Sequence, residues 1–398
     1  MWNKVYTKNS YPDTNLSAAQ SKIEFTINNG DVPISRNIKY FIQVETNENK
    51  LINNPIPFLF HRIELKVNNN LVDEVENPGV ASTMFLAAST SSSNINRVKN
   101  GGYTPGGTTS FNTSKVYSFT GTLNNFGLGF LEDGGDFLLN TEVKVIFLKN
   151  SSTIDCFRKV STTGEDSSEN EVISGSSSGS KQTPPAPTIV IKNFYLKTTF
   201  FDPSIEQKIS LIPGLLTTNQ TYVFRKLQLI QKNGINGSSF VTDVTNLYQG
   251  SNTPQFILLS FQDGRDGTTK DSSIFDHCNV KNIQVKIGGE LYPQERQDLN
   301  FASKMVTEAY DSFCEYNVSK GDNEPSLSPS EWFESPIFVV DTLNQPLSYT
   351  NMKKNIVVQV DFTSPVTSSN VVMNLLMVTL TKIEHNKENN TFIVDPSY

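Results

Sequence analysis

Only three histidines occur in the 398 residues, His61, His277 and His385, and they limit the metal or acid–base chemistry this chain can perform. None stands in an HxH or HExxH arrangement. The densest run of reactive types is "FDHC", where Phe275 is followed by Asp276, His277 and Cys278. A metal centre or an activated thiolate needs such side chains to converge. Successive residues of a strand point to opposite faces, so Asp276 and His277 cannot share one ligand without a bulge. The spacing therefore predicts a strand terminus with a hydrogen-bonded histidine. "FQDGRDGTTKD" (261–271) sets carboxylates beside a glycine, as a calcium loop does, yet lacks the closing bidentate Glu and the flanking helices. "GGYTPGGTTS" (101–110) is Gly-rich without the lysine and following helix of a phosphate loop. Cys156, Cys278 and Cys314 are odd in number and lack metal-type spacing, which predicts reduced thiols. No Ser–His–Asp set and no carboxylate pair can be defended from spacing. No catalytic residue, metal ligand or cofactor is expected, and the chain reads as a non-enzyme.

The elements that would have to position any site are set by bulk properties. A hydrophobic content of 36%, with 26 Phe and 13 Tyr, supplies packed cores and excludes wholesale disorder. The length suits two domains of roughly 200 residues. A net charge of −7 excludes a surface built to grip nucleic-acid phosphates. Residues 1–20 hold no apolar leader and no run of 18 apolar residues occurs, so a soluble protein made in the cytosol and not secreted is expected. Sequons at Asn112 and Asn219 then read as by-products of an Asn-rich composition.

Alternating apolar and polar residues, rich in β-branched and aromatic types, predict strands at 22–27, 38–44, 115–123, 141–148, 188–200, 222–230, 255–261, 335–343, 355–362 and 371–383. Asn, Gly, Ser and Pro clusters separate them, and 90–114 and 231–253 read as long loops. Helical periodicity is clear at 78–89 and at 298–316, the latter with Phe301, Met305, Ala309 and Phe313 on one face. One piece is written twice: "IELKVNNNL" (63–71) and "IQVKIGGEL" (283–291) align Ile63, Leu65, Val67 and Leu71 with Ile283, Val285, Ile287 and Leu291. Ala81-Ser82-x-Met84 and Ala302-Ser303-x-Met305 follow at nearly the same offset. Strands 38–44 and 222–229 precede the repeated piece, and 141–148 and 355–362 close each half. The order predicts an internal duplication.

Between the halves, "STTGEDSSENEVISGSSSGSKQTPPAP" (161–187) is nearly free of large apolar residues and predicts a linker or an exposed loop, the first site of proteolysis. The expected organisation is an N-terminal domain at 1–160, that stretch, and a C-terminal domain at 188–398. Each half has seven or eight strands and one short helix. The fold class is all-β, with two tandem eight-stranded antiparallel jelly rolls.

The segment 254–310 resembles the second half of double jelly-roll major capsid proteins of Polinton-like viruses, virophages and related eukaryotic mobile elements. Phe261 with Gln262, the run Phe275, Asp276, His277, Cys278 and Asn279, then Asn282, Tyr292 and Pro293 stand where that family has its motif. The resemblance covers about a seventh of the chain, and the first half matches by layout alone. It implies two tandem jelly rolls per subunit, homotrimers of pseudo-sixfold outline, and an icosahedral shell around double-stranded DNA in which the motif residues are structural. The implied partners are the chain itself, neighbouring capsomers, and penton and minor capsid proteins, without sequence-specific nucleic-acid binding. The implied location is the virion capsid, after synthesis in the host cytoplasm. A spike, penton-type or carbohydrate-binding β-sandwich would instead show clustered exposed aromatics, and Trp2 and Trp332 are few and scattered.

Overall fold

The computed structural model describes residues 4–395 apart from 18–19, 48–50, 108–114, 133–136, 158–187, 211, 251, 266–270, 320–323 and 344–354. The alternating segments form antiparallel strands. The first half carries β1 (Lys4–Ser10), β2 (Lys22–Asn28), β3 (Ile34–Ser35), β4 (Lys39–Thr46), β5 (Phe60–Val67), β6 (Asn70–Glu76), β7 (Val116–Thr122), β8 (Phe137–Leu138), β9 (Glu142–Lys149) and β10 (Ile189–Asp202). The second carries β11 (Gln220–Asn233), β12 (Gly237–Asp243), β13 (Phe256–Asp263), β14 (Val280–Ile287), β15 (Glu290–Tyr292), β16 (Phe338–Asp341), β17 (Ile356–Val366), β18 (Val371–Asn386) and β19 (Thr391–Asp395). Short helices connect them: α1 (Pro78–Ser89), α2 (Ile95–Lys99), α3 (Ile205–Ser210), α4 (Ile212–Thr217), α5 (Thr307–Ser319) and α6 (Pro329–Glu334).

In the first half β1-β10-β4-β7 faces β2-β9-β5-β6, and two-residue β3 and β8 extend the first of these sheets. In the second half β11-β18-β13-β16 faces β12-β17-β14-β15, with β19 added to β18. Numbering the main strands of each half along the chain, the first sheet runs first, eighth, third, sixth, and the second runs second, seventh, fourth, fifth. That order is the jelly roll, and it occurs twice. Between the sheets of roll 1, Phe25, Phe147 and Phe194 pack edge to face at 4.8–5.9 Å. In roll 2, Phe261 fills the same layer against Phe338 and Phe362.

The repeated piece is one hairpin built twice. Lys66 pairs with Leu71 and Val67 with Asn70; Lys286 pairs with Leu291 and Ile287 with Glu290. Both two-residue turns need positive φ, supplied by Asn68-Asn69 in one and Gly288-Gly289 in the other. The three apolar residues of each first strand are buried, while Leu71 and Leu291 both face solvent. Strands β9 and β17 also correspond, as expected. The preceding strands do not: residues 38–44 lie in the third strand of roll 1, whereas 222–229 lie in the first strand of roll 2.

Three expectations are corrected. The Ser/Gly/Pro stretch 161–187 lies outside the described residues, but the strand after it belongs to roll 1. β10 pairs with β1 on one side and β4 on the other, so roll 1 ends at Asp202 and the stretch connects its seventh and eighth strands. The division at 188 fails because composition reports exposure, and an insertion within a domain is as exposed as a linker between domains. Second, the helix of roll 2 starts at Thr307, so Phe301 and Met305 precede it, paired across a tight turn through Asn300 and Met305. Ala309 and Phe313 are buried on the helix and Phe301 is buried before it, but Met305 is 63% exposed; the second Ala-Ser-x-Met is no counterpart of the buried one in α1. Third, the expected loop 231–253 contains β12 and the loop 90–114 contains α2. Among the described residues, no helix is long and apolar enough to cross a membrane.

α1 explains how the rolls meet. "PGVASTMFLAAS" is apolar or small all round, and such a helix is buried on every side. It packs on its own β5 and reaches β11 and β18 of roll 2.

Candidate functional site

The motif residues gather at the corner where β13 hands over to β14. Phe261 is fully buried, and its carbonyl accepts the Asp276 N–H at 2.8 Å. Gln262 donates to the carbonyls of Ser272 and Ile274 at 2.9 and 3.2 Å and accepts from Asn374 at 3.2 Å. The Asp276 carboxylate takes the Asp263 N–H at 2.7 Å and the Arg265 guanidinium at 3.1 Å. Phe275 is buried and its N–H donates to Ser335 Oγ at 3.0 Å. The expected separation of Asp276 from His277 is observed: the His277 ring stacks on Phe301 at 4.6 Å instead. Its Nδ1 accepts the Asn279 N–H at 2.9 Å, and burial pushes its pKa below the ordinary histidine value. Cys278 and Asn279 take positive φ, which turns the chain into β14. Asn282 accepts the Gln297 N–H at 3.0 Å and donates to Asp361 at 3.3 Å. Gln284 donates to the carbonyl of Pro293 at 3.1 Å, which holds Tyr292-Pro293 against β14.

Most polar groups at this corner are satisfied by the protein itself, chiefly by backbone; the buried Arg265 Nε is an exception. That arrangement fixes a corner. Elsewhere, His61 Nδ1 lies 2.9 Å from the Lys149 carbonyl, and buried His385 stacks on Phe392 at 4.2 Å. In the calcium-like stretch, Asp271 caps Ser273 and Asp263 accepts from Ser368; residues 266–270 lie outside the described residues. Of the Gly-rich stretch, residues 101–107 are described, and Gly106 abuts Glu331 of roll 2. Among the described residues, no group of three or more His, Cys, Asp and Glu is placed to hold a metal.

The seam between the rolls carries residues with no sequence signal. A polar chain runs Asn77–Gln231–Asn374–Gln262, at 2.8, 2.8 and 3.2 Å, from the start of α1 across the second roll to the motif corner. Toward the other end of β11, Phe130 wedges edge-on against Tyr222 and Phe224 at 5.6 and 5.4 Å. The Phe130 N–H donates to buried Asp73 at 3.0 Å and its carbonyl accepts from buried Arg36 at 3.0 Å. Burial raises the Asp73 pKa to about 6.

Residues 221–379 match the family described as double jelly roll-like domain, and the topology of both halves agrees with it. The chain has the double jelly-roll fold. Its fold, over nearly its whole length, is the one found in virophage major capsid proteins. It superposes on the PBCV-1 protein VP54, fitted into a cryo-EM reconstruction of the virophage Sputnik, with a TM-score of 0.61 and 12% identity over 99% of this chain and 97% of that one. A chain of the Sputnik virophage gives 0.58 and 14% over 100% and 89%. The mavirus major capsid protein gives 0.50 and 11% over 98% and 90%. No curated protein matches in sequence.

Proposed function

We propose that this chain is a major capsid protein whose homotrimers tile an icosahedral shell around a double-stranded DNA genome, and that it has no catalytic role. The observation that carries the reading is the tandem of complete jelly rolls, shared from end to end with virophage capsid subunits. Three copies of a two-roll subunit present six similar wedges, so one gene fills a hexagonal position with threefold symmetry. Its partners are then other copies, neighbouring capsomers, and penton and minor capsid proteins. The motif residues Phe261 to Pro293 serve as the brace of the β13–β14 corner. The net charge of −7 fits a shell whose DNA is neutralised by other groups. Neither tryptophan supplies a sugar-binding platform among the described residues: Trp332 is buried with its indole N–H on the Ile337 carbonyl at 3.0 Å, and Trp2 lies outside the described residues.

Light scattering coupled to size exclusion, with electron microscopy of the same fractions, tests this. Three chains per particle and triangular or hexagonal outlines about 70–90 Å across are expected, scaled from three compact subunits. A monomer at every concentration overturns the reading.

A further inference from the structure

A cavity of about 110 Å³ lies at the seam, lined by Tyr103 and Gly106 of roll 1 and by Asp271, Glu331 and Glu334 of roll 2. Its walls are apolar, and Ala87, Phe275 and Leu327 there are 1–6% exposed. Two of the three carboxylates are held in place with one oxygen to spare. Glu331 is the third residue of α6, and its Oε2 accepts from the Ser328 N–H at 2.8 Å and the Ser328 hydroxyl at 2.6 Å, closing a capping box. Its Oε1 lies against Gly106, where an added Cβ would sit 2.3 Å from it. Gly106 has a φ of +60°, so roll 1 makes room for this carboxylate with a residue that has no Cβ. Asp271 uses Oδ1 to accept from the Ser273 N–H and hydroxyl at 2.8 and 2.6 Å.

Tyr103 is 3% exposed, yet its hydroxyl makes no hydrogen bond among the described residues. Burial, and next the charge of Glu331, push its pKa up, so the hydroxyl stands within the field of that carboxylate. A buried hydroxyl without a partner is costly unless a guest in the cavity supplies one. No lysine, arginine or histidine lines the cavity. The groups left over are all oxygens that can accept: Glu331 Oε1, Asp271 Oδ2, the Glu334 carboxylate and the Tyr103 hydroxyl. The carboxylates are not placed to hold one metal ion together. The complement of such a cavity is an organic cation, whose N–H groups reach oxygens that stand apart and whose carbon stem lies on the apolar walls.

We propose that this seam cavity binds a primary ammonium group on an alkyl stem, supplied by a free aliphatic amine or by a lysine side chain, and that its occupation ties roll 1 to roll 2. An ammonium carries three donors and no acceptor, which matches an all-oxygen lining. A guanidinium prefers a carboxylate with both oxygens free, and Glu331 and Asp271 each have one engaged. The volume is that of about four waters at about 30 Å³ each, enough for a short chain. Bound there, the ammonium offsets the like charges of roll 2 and links them to Tyr103 of roll 1. The site lies within one chain, so it stands whether or not the capsomer reading does.

Thermal unfolding of the full chain, followed by near-ultraviolet circular dichroism at constant ionic strength, tests it with three probes. These are n-butylammonium, an end-capped Gly-Lys-Gly peptide, and tetramethylammonium, which has no N–H. Butylammonium should raise the melting temperature saturably and tetramethylammonium should not. Glu331→Gln keeps the capping box, which glutamine also fills. Combined with Asp271→Asn, it should weaken butylammonium at least about ten-fold, the loss of a charge-assisted hydrogen bond. Tyr103→Phe removes only the hydroxyl and should weaken it about three-fold or more; it decides alone if the double variant does not fold. A response to the peptide as well assigns the site to a lysine side chain, and a response to butylammonium alone assigns it to a free amine. Equal responses to butylammonium and tetramethylammonium overturn the proposal. So does the absence of any response to butylammonium, or an affinity that neither variant changes.

Discussion

Replacing Gly129 by alanine probes how rigidly the two rolls are set against each other. A Cβ at this position would lie 1.8 Å from the Arg225 carbonyl oxygen, against an ordinary contact of about 3.4 Å, so one side must retreat by about 1.5 Å. Gly129 does not have positive φ, so the penalty is steric contact alone. Neither side yields readily. Arg225 sits within the fourteen-pair ladder between β11 and β18. The turn is held by the Asp73 and Arg36 bonds to the backbone of Phe130 and by the ring of Phe130 between two aromatics. Overpacking against fixed backbone costs about 3 kcal/mol, the upper part of the usual range. At about 2–4 °C per kcal/mol, the melting temperature should fall by about 6–12 °C. The assay is near-ultraviolet circular dichroism at matched protein concentration, because assembly shifts apparent stability. Gly214→Ala is the control, since nothing lies within 4 Å of its added Cβ. A Gly129→Ala protein that melts within 2 °C of wild type would refute the claim that this seam is close-packed and rigid.

Burial raises the Asp73 pKa to about 6, above the ordinary 3.8, so its protonated form favours the folded state and that stabilisation is lost as pH rises through about 6. The melting temperature of wild type relative to Asp73→Asn should therefore increase on going from pH 7.5 to pH 5, and a constant difference would contradict it. Phe301→Ala, which removes the ring stacked on His277, should cost about 3–5 kcal/mol in denaturant unfolding, whereas exposed Met305→Ala should cost under about 0.5 kcal/mol. Gln262→Ala strips two carbonyls and the Asn374 amide of a partner and should cost about 1–3 kcal/mol; a neutral result would deny the corner its bracing role. Cleavage at a protease site engineered near residue 174 should leave two pieces that co-elute without denaturant, because β10 remains paired with β1 and β4; separation into two free domains would contradict the observed pairing.

What could be read in advance was local. The hairpins at 63–71 and 283–291 announce themselves because an apolar alternation ends in a dipeptide that tolerates positive φ, and both features act within nine residues. α1 was legible because its apolar residues are contiguous. β1 was not, since none of its positions is buried and no alternation marks it; β12 fails for the same reason. The register that makes β10 part of roll 1 depends on partners more than a hundred residues away, which no window of sequence contains. The motif corner was found through resemblance, and its chemistry agrees with what adjacent strand positions allow. Arg36, Asp73 and Gly129 carried no signal at all, because their burial comes from docking one roll on the other.

The placement of β10 has a consequence for synthesis. When the ribosome has completed β9, every strand of the first sandwich exists except the one that lies between β1 and β4. Residues 150–202 must still be made, which at bacterial-to-eukaryotic elongation rates takes on the order of 3–10 s. During that interval β1 has no strand partner and one edge of β4 is bare, and unpaired edges recruit strands from other chains. Nascent chains crowded on one messenger are therefore exposed to strand exchange for a fixed number of seconds. The length of the inserted stretch acts as the timer.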